Sequence, residues 1–161
     1  MVDQAEHEEL LRQQSLQLIS AHLGGIEDEA LSVIKAHLVA ESLLYQIIEK
    51  FVPNPSSLNE ARLSFPQLLS VVQAFRHIPR ERWIWNSLRK LNTLRNEYAH
   101  RLSSEKLDNR RKDFVLSTEP WITPPNWVVG LLRFKFVLMI LCAQLSNLSH
   151  GGNVAGPSDS K

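Results

Sequence analysis

The sequence predicts an all-α fold, an antiparallel helical bundle of four to five main helices. Apolar residues recur at the 3.6-residue period over long stretches, and proline or glycine punctuates the stretches between them. No segment alternates at period two for long, and β-branched residues are sparse. With 161 residues, 43% of them hydrophobic and 22% charged, the chain has the size and apolar mass of one domain. That domain is expected over residues 1–150. The tail 151–161, rich in Gly and Ser, is expected to be disordered.

The first helix is read from Glu8 to His22, stopped by Gly24 and Gly25. A second runs from Asp28 to Val52 and closes at Pro53 and Pro55. Its residues Leu31, Ile34, Leu38, Tyr45 and Ile48 share one face at helical spacing and are expected to pack. A third begins at Ser64, where Ser64-Phe65-Pro66-Gln67 has the spacing of a capping box, and fades near His77. The fourth spans Arg80 to Arg101. A short segment from Ser104 to Phe114 follows, and the last helix begins at Thr123-Pro124-Pro125 and ends before Gly151. Long helices with short connections favour antiparallel neighbours.

Several function classes recede on composition. The N-terminal Met1-Val2-Asp3-Gln4-Ala5-Glu6 is acidic and lacks the apolar core of a secretory signal. Trp127 to Leu145 is long enough to suggest a membrane span, but Arg133 and Lys135 lie inside it, and a central charge costs about 2.5–3.5 kcal/mol. The expectation is a core helix, no membrane association and a cytoplasmic location. Cys142 is the sole cysteine and sits among apolar neighbours, which predicts a buried thiol in a reducing compartment. His7, His22, His77 and His150 lie far apart and match no HExxH or Cys/His ligand spacing, so neither a metal nor a cofactor is expected. Trp83 and Trp85 are expected to pack rather than to stack on bases.

Charge is distributed unevenly. Between Arg76 and Lys112 eleven Lys or Arg residues face four acids, a local balance of +7, while the remainder of the chain carries −6. Such a segment invites an anionic partner, or else a solvated charged face. On the fourth helix, at about 100° per residue, Ile84, Leu88, Leu91, Tyr98 and Ala99 fall on one broad arc with Arg95 near its middle. Beside the arc runs a polar stripe of Arg89, Asn92, Asn96 and His100. A guanidinium, two amides and an imidazole near one helix end suit phosphate handling. The alternative is structural: Arg95 pairs with Glu41, which also sits inside an apolar arc, and His100 complements the helix dipole.

The string Leu91-Asn92-Thr93-Leu94-Arg95-Asn96-Glu97-Tyr98-Ala99-His100 resembles the signature of the HEPN superfamily. These are small helical bundles with an R-x4-H motif late in one long helix, often with Asn after the Arg. His37-Leu38-Val39-Ala40-Glu41-Ser42-Leu43-Leu44 looks like the opening of a subset of these domains, and the resemblance covers about residues 30–149.

The resemblance implies a metal-independent endoribonuclease of toxin or defence type, active as a homodimer on RNA. Arg95, His100 and Asn96 would be its catalytic residues, with Arg89, Asn92 and Arg101 binding substrate and Glu41 partnering Arg95. It also implies an antitoxin or nucleotidyltransferase partner protein. Some family members follow the His with x-Tyr, the modified residue; Arg101-Leu102 here departs from that pattern. Many members are non-catalytic modules that bind a protein or nucleic acid, and that is the alternative reading.

Overall fold

The computed structural model describes residues 13, 17, 19–25, 28–75, 78, 82–100, 104–118, 120, 126 and 129–149. Among them the regular structure is all helical, with no strand. A helical stretch at 19–23 runs into a turn at Gly24 and Gly25, as the paired glycines predict. A Cβ at Gly24 would meet the Ser20 carbonyl oxygen at 2.5 Å, and Gly25 sits at φ +70, where a side chain is strained.

Six helices follow: α1 (Glu29–Phe51), α2 (Ser56–Ala61), α3 (Phe65–Ala74), α4 (Arg82–Ala99), α5 (Ser104–Thr118) and α6 (Gly130–Ser149). The Asp28 carboxylate caps α1 by accepting from the Leu31 N–H at 2.6 Å. The capping box of α3 forms as its spacing predicts, with the Ser64 N–H donating to Gln67 Oε1 at 2.8 Å and Pro66 in the first turn. The sequence reading passed over α2, a six-residue helix inside a proline-marked connection that ends with Arg62 in the left-handed region. It also stopped α5 at Phe114, whereas the helix continues to Thr118. The last helix begins at Gly130, not at Thr123: Val129 is non-helical and Gly130 enters at φ +58. Residues 121–125, 101–103 and 150–161, and with them the proposed cap at Thr123 and the tail, lie outside the described residues.

The core lies between α1, α4 and α6, with α3 and α5 closing its sides. Contacts set the directions. Glu29 meets Tyr98 and His37 meets Asn92, so α1 and α4 are antiparallel; Ser87 meets Thr118 and Glu97 meets Lys106, so α4 and α5 are too. By contrast Ala36 meets Cys142 and Lys50 meets Ser149, so α6 runs in the same sense as α1.

The packing face of α1 matches the expected one at Ile48, which is buried, and at Tyr45, which packs against the core, but differs from it in the N-terminal half. Leu31, Ile34 and Leu38 are 42%, 36% and 57% exposed, and the buried side carries Ser32, Val33, Ala36, Ala40, Leu43, Leu44 and Ile47. In its N-terminal half apolar residues lie on two faces, and its small residues decide which side packs. Ala36 and Ala40 let α6 approach until the Cys142 thiol donates to the Ala36 carbonyl at 3.7 Å. That thiol is fully buried, and burial pushes it up to about 12. It is an unreactive core residue, as its apolar setting predicts. Trp83 and Trp85 are also buried. By length and mean hydropathy (1.3 and 1.5) α1 and α6 could each cross a bilayer, and in the bundle these two helices pack on one another.

Candidate functional site

Helix α4 presents two sides. Ile84, Ser87, Leu88, Leu91 and Leu94 are buried, and Arg89, Asn96 and His100 are exposed on the other flank. The expected arc is thereby adjusted: Leu94 belongs to the core and Ala99 is exposed, while Arg95 is half-buried at the boundary. This boundary position lets an arginine sit beside the core while its guanidinium stays in contact with polar groups.

The expected pairing of Arg95 with Glu41 is not formed. Arg95 Nη1 donates instead to Asn96 Oδ1 at 3.2 Å, and Arg95 has no ion pair among the described residues. The Glu41 carboxylate faces the His37 ring on its own helix, Oε2 lying 3.9 Å from Nδ1. The reason is geometric: positions 37 and 41 stack four apart on α1, and Glu41 keeps a third of its side chain in water. No burial cost therefore forces it to seek the guanidinium.

His37 is the residue that sequence reasoning missed. It is buried, its ring lies 4.2 Å from that of Phe65, and its Nε2–H donates to Asn92 Oδ1 at 3.0 Å. Burial lowers its pKa; the Asn92 hydrogen bond and the Glu41 charge oppose that, and the Arg95 charge adds to it. The ring is therefore neutral near pH 7 and is electrostatically coupled to Arg95. A sequence signal existed in the His37–Glu41 spacing, but the contact with Asn92 joins positions fifty-five apart and has no local signature.

The proposed substrate-binding residues diverge. The Oδ1 of Asn92 is engaged with His37, so that only its Nδ2 donors are left for a ligand. Arg89 is exposed, its Nη2 donating to Gln73 Oε1 on α3 at 3.1 Å. Arg101 lies outside the described residues. His100 is exposed at the end of α4, where its backbone N–H bonds the carbonyls of Asn96 at 3.1 Å and Glu97 at 3.3 Å. Asn92, Asn96 and His100 thus run down one flank of α4, with Arg95 beside Asn96.

Part of the basic segment serves the fold. Lys90 pairs with Asp113 at 2.9 Å, Glu97 draws in Lys106 at 3.5 Å and Arg110 at 3.7 Å, and Arg111 bridges Glu29 at 2.8 Å and Asp108 at 3.0 Å. These pairs clamp α5 against α4 and α1. Among the described residues Arg89, Arg95 and Lys112 have no carboxylate partner; Arg89 lies along the His100 flank and Arg95 at its boundary with the core. No group of three or more metal-ligating side chains occurs among the described residues. No family model, characterised protein or solved structure matches this chain.

Proposed function

We propose that the chain is a metal-independent endoribonuclease of HEPN type, toxin-like or defence-associated, acting on RNA as a homodimer. The observation that carries the reading is the state of Arg95: half-buried, without a carboxylate partner among the described residues, hydrogen-bonded to the exposed Asn96 and five residues before the exposed His100.

In this reading the imidazole of His100 accepts the ribose 2′-OH proton as that oxygen attacks the adjacent phosphorus. The bond to the 5′-oxygen breaks, and a second proton donor, His100 of the partner protomer, protonates the leaving oxygen. Arg95 holds the phosphoryl oxygens with its bidentate fork, and Asn96 fixes the guanidinium. The products are a 2′,3′-cyclic phosphate and a 5′-hydroxyl.

The dimer is supported by two features. On an ideal helix Arg95 and His100 point about 140° apart, so one copy alone is a poor clamp. The exposed Leu31, Ile34 and Leu38 form an apolar stripe on α1, the helix that carries His37 and Glu41, and a second copy would cover it. The same stripe favours a second reading, a non-catalytic helical module that docks an antitoxin or other regulatory protein.

Expression in cells separates the two. Wild type is expected to arrest growth and degrade RNA, and His100→Ala to do neither; equal behaviour of both proteins selects the binding module.

A further inference from the structure

Away from the His100 flank, α1, α5 and α6 enclose a cavity of about 530 Å³. That volume lies within the range of roughly 300–1,000 Å³ typical of small-molecule sites. Its wall is largely apolar and comes from Val115 and Leu116 of α5 and Leu131 and Phe134 of α6. Of these Phe134 is buried, whereas Leu116 is 70% exposed.

Arg111, Lys112 and Arg133 line the cavity with a single acid, Glu29. Glu29 is already satisfied: it accepts from Arg111 Nη1 at 2.8 Å and from the Tyr98 hydroxyl. Tyr98 is held neutral at all ordinary pH by its burial and by that carboxylate. Lys112 is exposed and makes no ion pair among the described residues. An apolar pocket lined by one exposed ammonium, that of Lys112, matches an apolar body carrying one negative group.

We propose that this cavity binds a small amphipathic anion, a medium-chain carboxylate, with its chain against Val115, Leu116, Leu131 and Phe134 and its head at Lys112. The site involves neither Arg95 nor His100, so it stands or falls independently of the ribonuclease reading.

Titration of the full chain with the fluorogenic probe dansyl-undecanoate tests it. Saturable binding at one probe per chain is expected, displaced by laurate and about threefold less well by dodecanol, which lacks the charge. Lys112→Ala should weaken probe binding about threefold, the scale of an exposed ion pair. Leu116→Asp places a carboxylate at the mouth of the cavity and should abolish binding while circular dichroism stays unchanged, because the side chain is largely in water. Absence of saturable binding, equal displacement by laurate and dodecanol, or indifference to both substitutions would each overturn the assignment. So would a stoichiometry of one probe per two chains with loss of the site on dilution, which would make the apolar wall an interface between copies.

Discussion

His37 on α1 donates a hydrogen bond from Nε2 to Asn92 Oδ1 on α4 at 3.0 Å, one turn below Arg95. This bond ties the histidine-bearing helix to the helix that carries the R-x4-H motif, and the first prediction concerns it. Asn92→Ala leaves the imidazole N–H without a partner in a buried site, which costs about 1–3 kcal/mol. The melting temperature should fall accordingly, whereas Asn96→Ala, on the exposed flank, should change it little. A double-mutant cycle of His37→Phe with Asn92→Ala should show coupling between the two positions.

The second prediction is electrostatic. Burial, more than any other cause, lowers the pKa of His37 below its ordinary 6.5, and Arg95 contributes in the same direction. The folded state therefore binds the proton less readily than the unfolded state. Above pH 6.5 the ring is neutral in both and nothing is lost; as pH falls below 6.5 the unfolded chain takes up the proton first, and stability declines. Denaturant unfolding should show that decline in wild type and a shallower one in His37→Phe. Proton NMR titration of the His37 ring should give a higher pKa in Arg95→Ala than in wild type.

Much of the fold was legible because its signals are local. Asp28 and Ser64 cap their helices, Gly24 and Gly25 stop one, and the apolar setting of Cys142 reports its burial. The packing face of α1 was legible only toward its C-terminal end, at Tyr45 and Ile48, because Leu31, Ile34 and Leu38 satisfy the same periodicity as the true face. The choice depends on Ala36 and Ala40 admitting α6, a fact about two helices rather than one. The candidate site divides in the same way. Arg95, Asn96 and His100 are visible as spacings along one helix, while the role of His37 depends on how α1 meets α4.

The third prediction separates catalysis from folding. His100 is exposed at a helix end, so His100→Ala should alter stability by less than about 0.5 kcal/mol. RNA cleavage should nonetheless fall by about 10²–10⁴, the contribution of a positioned acid or base. Arg95→Ala should also abolish cleavage, and because Glu41 is not its partner the loss of stability should be modest. Arg95→Lys should recover little activity, since an ammonium lacks the bidentate fork. Melting temperatures and cleavage rates for the three variants check this set.

A fourth prediction concerns assembly. Leu38 is 57% exposed in the middle of the apolar stripe of α1. Leu38→Glu should leave the helix content of the monomer intact and, by burying a charge between copies, shift sedimentation from dimer to monomer at micromolar concentration. Cleavage should be lost with the dimer. A wild-type chain that sediments as a monomer while fully active would contradict the shared-cleft arrangement.

The most direct test of the catalytic claim is the chemistry of the cut. Purified wild type and His100→Ala are incubated with RNA in excess EDTA, and the product ends are identified. The account predicts cleavage by wild type that is unaffected by the chelator, fragments ending in 2′,3′-cyclic phosphate and 5′-hydroxyl, and loss of cleavage in the variant. Activity abolished by EDTA and restored by a divalent ion, or fragments ending in 3′-hydroxyl, would contradict it.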